Sequence, residues 1–159
     1  MKVDEILGKA LKRIKPTDKG KAKEVKDFLV RLNTELKKRK IKAKATVGGS
    51  MAKDTYLKDD HDCDIFVRFD YSFKDKDISK ELATVLKIWK PDTVHGSRDY
   101  YHIKNELNYE IVPVLDIKNP KDAVNVTDMS PLHVDWVKKH PGMNDEIRLA
   151  KQFCKANQV

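Results

Sequence analysis

The chain has 159 residues, 40% of them hydrophobic and 36% charged, with 33 basic against 25 acidic side chains and a formal net charge of +8. That length suits one domain with a real core, the recurring Leu, Ile, Val and Phe exclude a disordered chain, and the basic excess fits a polyanionic partner such as nucleic acid. No apolar run approaches the ~20 residues of a membrane span, the opening MKVDEILGKALKRIK has no signal-peptide core, and Cys63 and Cys154 form no CxxC pair, which predicts two reduced thiols in a cytoplasmic protein and no structural zinc.

Ile6, Leu7, Ala10, Leu11 and Ile14 recur at helical spacing, and Pro16 closes that helix. Thr17-Asp18 caps a second helix with the stripe Ala22, Val25, Phe28, Leu29, Leu32 and Leu36; its other faces are rich in lysine. Residues 42–47 alternate as a strand and run into the tight turn Gly48-Gly49-Ser50. Residues 51–61 are polar and looped, and 63–69, CDIFVRF, is the strongest strand of the chain. Ile78, Leu82, Val85 and Trp89 mark a third helix, ended by Pro91. Residues 95–103 and 107–115 read as two further strands joined by a turn at 105–108, and Pro113 puts the second at an edge or near its end. Ser130-Pro131 supplies an N-cap and a first-turn proline for the next helix, and Ile147, Ala150, Phe153 and Cys154 mark the last. The order predicts an α+β domain, a small mixed β-sheet with helices packed on it.

The chemistry concentrates between Gly48 and Ile65. Strand alternation puts Asp62 and Asp64 on one face, while Cys63, Ile65, Val67 and Phe69 point to the other and fix the register by burial. Two carboxylates side by side repel each other, and hard Mg²⁺, which takes carboxylate and phosphate oxygens together, compensates them. Glu110, charged within the apolar run YEIVPV, is the candidate third acid on a neighbouring strand. The turn at Gly49 and Ser50 brings backbone N–H groups and a hydroxyl to a triphosphate, and Lys53 follows as a positive charge. Alone, Gly-Gly-Ser is an ordinary turn and Asp-x-Asp an ordinary solvated edge; their conjunction, each beside a strand, points to nucleotidyl transfer. His61-Asp62 also spells the pair of HD-type metal hydrolases, but that pair sits on helices with further His ligands, and this one abuts a strand.

GGS-x11-DCDI resembles the signature of the polymerase-β nucleotidyltransferase superfamily. Together with MKVDEILGKAL, YEIVPVLDIKNPKDAVNVTDMSPLHVDWV and EIRLAKQFCKAN, it resembles the archaeal (class I) CCA-adding tRNA nucleotidyltransferases over essentially the whole chain. The resemblance implies a head-type catalytic domain over 1–159, with a following helical region starting at about 130–159, and a polymerase-β-type fold. It implies transfer of CMP and AMP from CTP and ATP to the tRNA 3′ end through a two-metal Mg²⁺ site. It assigns Asp62, Asp64 and Glu110 to the metals, Ser50 and Lys53 to the triphosphate, and His133 and Lys151 to the nucleotide pocket. Lys53 stands where the family usually has Arg, and Glu110 where it has Asp. Family members continue past the last helix into domains that read the base and clamp the acceptor stem. The chain is therefore expected to be a fragment, one half of a split enzyme with a C-terminal partner chain, or a minimal catalytic domain. Two other readings remain: a minimal polymerase-β-type enzyme acting on a protein or small molecule, and a non-catalytic RNA-binding partner subunit.

Overall fold

The computed structural model describes residues 2–17 and 20–159. Among the described residues the chain runs α1 (Val3–Ile14), α2 (Gly20–Lys38), β1 (Ala43–Val47), α3 (Gly49–Ala52), β2 (Asp62–Phe69), α4 (Ile78–Leu86), β3 (Asp92–Val94), β4 (Tyr100–Lys104), β5 (Asn108–Leu115), α5 (Ser130–Lys138) and α6 (Asn144–Asn157). This is the expected α+β order. The expected cap of α2 includes Asp18, which lies outside the described residues.

The strands form one mixed sheet in the order β1-β2-β5-β4-β3. β2 and β5 are parallel and central; the other pairings are antiparallel. Alternation decides what each face does. Cys63, Ile65, Val67 and Phe69 of β2, with Tyr109 and Ile111 of β5, pack against Phe28, Leu32 and Leu36 of α2 and Leu82 and Val85 of α4. That face is the main core, with Phe28 stacked on Tyr109 at a ring separation of 4.1 Å. Burial pushes the Cys63 thiol up to about 12, with Asp64 and Glu24 adding to it, so this cysteine is an inert apolar filler. The opposite face carries a smaller cluster, Phe66, Val112 and Val114 with Val134 of α5. The rest of that face is open to the elements that build the site. α1 buries none of its residues and lies against α6.

The structure corrects four local expectations. The Gly48-Gly49-Ser50 segment is the entry to a one-turn helix, not a free turn. Of the strand expected over 95–103 only 100–103 is strand, in β4: 95–99 is drawn out of the sheet, the Asp99 carbonyl accepting from Ser79 Oγ and Arg98 turning inward, and β3 lies ahead of the expected span. Ser130 is not the cap of its helix. A 3-10 turn, Val126–Met129, precedes it, capped by Asn125 in a reciprocal box with Asp128. Pro113 lies within the central strand, paired with Val67. It is tolerated there because β4 pairs with β5 only as far as Ile111. Beyond that point the open side of β5 is covered by side chains: the Pro113 carbonyl accepts from Arg98 Nη1 at 3.2 Å, and the Leu115 N–H donates to Asp128 Oδ1 at 2.8 Å. The buried Arg98–Asp128 ion pair thus stands in for the missing neighbour strand.

Candidate active site

The parallel register of β2 and β5 sets Asp64 opposite Glu110 and Asp62 opposite Asn108. The three acids therefore share one face, Asp64 half-buried in the middle. Burial pushes the Asp64 carboxyl above its ordinary value, and the negative charges of Glu110 and then Asp62 push it the same way, against the opposing charge of Lys53. Each acid has its own partner. Asp62 Oδ1 accepts from Asn108 Nδ2 at 3.1 Å, and Glu110 Oε2 stands 3.3 Å from His102 Nε2. Asp64 Oδ2 occupies the space a Cβ on Gly49 would fill. Turned apart in this way, the acids do not form a ready chelate: among the described residues no three His, Cys, Asp or Glu groups converge on one point.

Both glycines of the turn are required by this approach. Gly49 has φ +50, a left-handed backbone that penalises any Cβ, and its open side receives Asp64. At Gly48 a Cβ would stand 2.5 Å from the Phe66 ring. The Gly48 N–H donates to the Asp64 carbonyl at 2.7 Å, which ties the turn to the strand bearing the acid.

Gly49, Lys53, Asp64, Glu110 and His133 line one cavity of about 270 Å³, with Thr127 and Ser130 on the wall built by α5 and the turn before it. Asp62 and Glu110 also border a second cavity of about 280 Å³ with His102, Lys104 and Asn108. The structure thus gathers six of the eight candidate residues around Glu110. Ser50 and Lys151 fall outside both linings. Ser50 lies in α3, its carbonyl accepting the Thr55 N–H at 2.9 Å, and Lys151 Nζ donates to the Thr55 carbonyl at 3.3 Å. Sequence reasoning missed His102 and Asn108, whose only signal is their place across the strand register from the acids. It also missed Thr127 and Ser130, which the Asn125 box carries into the cavity.

Comparison with known proteins adds relatives to this geometry. A nucleotidyltransferase domain family matches residues 29–135. The CCA-adding enzyme of Pyrococcus horikoshii is 34% identical over 170 aligned residues, covering 98% of this chain and 37% of its own length. That of Nanoarchaeum equitans is 39% identical over 145, covering 89% and 36%. The chain thus spans little more than a third of the curated relatives it matches. Among solved structures, a cytoplasmic RNA terminal U-transferase superposes with a TM-score of 0.69 at 18% identity, over 98% of this chain and 46% of its own. CdnC of E. coli MS115-1 superposes at 0.67 and 19%, over 96% and 57%. At those identities the two structures establish the shared fold. Among the described residues no helix is long and apolar enough to cross a membrane.

Proposed function

The chain belongs to the nucleotidyltransferase domain family, and we propose on that premise that it is the catalytic head of a CCA-adding tRNA nucleotidyltransferase working in the cytoplasm. The observation that carries this reading is the similarity to CCA-adding enzymes over 98% of the chain. The row of acids facing the Gly48-Gly49 turn supports the chemistry.

The tRNA 3′-hydroxyl oxygen forms a bond to the α-phosphorus of CTP or ATP, the α–β phosphoanhydride breaks, and pyrophosphate leaves. Glu110 accepts the hydroxyl proton. Lys53, Ser50 and the N–H groups of the Gly48-Gly49 turn hold the triphosphate, and His133 and Lys151 complete the nucleotide site. Three carboxylates on one face, the middle one pushed toward protonation by burial and then by its neighbours, supply the hard oxygen donors that a pair of Mg²⁺ takes, once the side chains leave their separate partners and turn toward one another. Asp62, Asp64 and Glu110 would hold them, and they would supply positive charge at the phosphates and the attacking oxygen.

The test incubates the chain with tRNA lacking its CCA end, Mg²⁺ and labelled CTP or ATP. One arm uses the chain alone; the other adds, as a separate chain, the two thirds of the relatives that it does not span. Label in the tRNA 3′ end in either arm is the expected result. Label on a protein or small molecule in its place, or nucleotide binding without turnover in both arms, overturns the reading.

A further inference from the structure

α6 carries a stripe that is polar where a packing helix is usually apolar: Asn144, Arg148, Lys151 and Lys155, at i, i+4, i+7 and i+11. All four reach one segment, residues 54–60, the loop between α3 and β2. Asn144 Nδ2 reaches Asp54 Oδ2 at 3.4 Å, and Lys155 Nζ reaches Asp60 Oδ1 at 3.4 Å. Between them three consecutive carbonyls are taken. Arg148 Nη2 donates to that of Asp54 at 2.6 Å, Lys151 Nζ to that of Thr55 at 3.3 Å, and Arg148 Nε to that of Tyr56 at 3.2 Å.

Arg148 is the hub of this grip. It is 1% exposed, and beyond the two carbonyls its guanidinium pairs with Asp54 Oδ1 at 2.5 Å and Asp145 Oδ1 at 2.6 Å. Asp54 has φ +53, an unfavourable left-handed backbone for a residue with a Cβ. It directly follows Lys53, whose side chain lines the cavity with Asp64 and Glu110. A buried guanidinium persists only where it is paired and hydrogen-bonded, and Arg148 finds those partners on the segment that begins one residue beyond a cavity lysine.

We infer that Arg148 is a positioning residue: by holding Asp54 in its left-handed conformation it sets the direction in which Lys53 leaves the chain, and so the affinity of the cavity for a nucleoside triphosphate. The inference rests on the phosphate-binding role proposed for Lys53. The test is titration calorimetry of magnesium-ATP with the full chain, in a double-mutant cycle of Arg148→Lys and Lys53→Ala. Lysine keeps a charge between Asp54 and Asp145 but loses the fork that spans the carbonyls. Arg148→Lys is expected to weaken binding about tenfold when Lys53 is present and less than about twofold beside Lys53→Ala, the non-additivity of residues acting as one unit. An equal loss in both backgrounds, or none in a folded Arg148→Lys, overturns the positioning role alone. Should Arg148→Lys fail to fold, Asp54→Ala at an exposed position decides in its place, because it removes the carboxylate that Arg148 holds and disfavours the left-handed backbone. It is expected to lose about threefold, again only with Lys53 present, and an additive or absent loss there overturns the positioning role. Equal affinities of the parent and Lys53→Ala overturn the phosphate-binding role of Lys53 and the positioning role with it.

Discussion

Asp64 holds a charge that its surroundings resist. Its raised pKa means that the ionised carboxylate disfavours the folded state at any pH above the folded value, and that this cost vanishes below the unfolded value of about 3.9. Asp64→Asn is therefore expected to melt roughly 2–4 °C above the parent at pH 7 in the absence of divalent ions, with the gap closing below about pH 4. The same variant is expected to lose roughly 10²-fold or more of nucleotidyl transfer. Thermal melts at two pH values beside a transfer assay check both halves; near-normal turnover would remove Asp64 from the site. Glu110 separates charge from reach. Glu110→Gln keeps the length that meets His102 but drops the negative charge, and is expected to fall as far as Asp64→Asn. Glu110→Asp keeps the charge and withdraws it by one methylene, and about a 10²-fold loss is expected from displacement of that order. A single-turnover assay of the two variants decides. The two strand aspartates and Glu110 were readable from the chain, because alternation and an acid in an apolar run are local signals. His102 and Asn108 were not, because they become neighbours of the acids only through the pairing of β4 with β5 and β5 with β2.

At the scale of elements, one buried pair holds the wall that carries Thr127, Ser130 and His133. Asp128 is fully buried and accepts from Arg98 and from the N–H groups of Leu115, Val124 and Asn125. Burial pushes its carboxyl up, but the hydrogen bond from Arg98 and the two amides of Leu115 and Asn125 outweigh it and hold the pKa below its ordinary value. A lowered pKa contributes stability that is complete above the unfolded value and is lost as pH falls through the folded one. Asp128→Asn leaves Arg98 without its counter-charge and is expected to cost about 3–5 kcal/mol at pH 7. The difference between variant and parent should shrink below about pH 4. Urea unfolding across pH measures it, and a variant as stable as the parent at neutral pH would contradict the account. Helix spans and the two central strands followed from periodicity. The departure of 95–99 from the sheet and the polar stripe of α6 did not, since each depends on a distant partner: Asp128 for Arg98, the 54–60 loop for Arg148. The Asn125 cap is a local box with Asp128, overshadowed in the sequence by the Ser130-Pro131 pair that follows it.

For the whole molecule, the sheet buries one face in the main core and turns Asp62, Asp64 and Glu110 to the other, beside a smaller apolar cluster. The role proposed for the charged walls of the cavity near Glu110 is to hold phosphates, which CTP and ATP share. The chain by itself is therefore expected to bind the two with magnesium within about threefold of each other, because discrimination needs buried hydrogen bonds to a base edge worth ~1–3 kcal/mol each. Its net charge of +8 should also bind tRNA loosely, with affinity falling at least about tenfold between 50 and 200 mM salt. Calorimetry with both nucleotides and filter binding across salt test these, and a strong preference for one base would require a base-reading surface within the chain. The stand-in for the missing strand beside Pro113 also bears on how copies of this protein avoid one another in a crowded cell. An unpaired stretch in the middle of a sheet is a template for intermolecular β-association. Here Pro113 presents no N–H to an incoming strand, and Arg98 and Asp128 already occupy the carbonyl of Pro113 and the N–H of Leu115. Acid that discharges Asp128 would lift that cover from the apolar run 112–115, so aggregation on acidification should begin at β5.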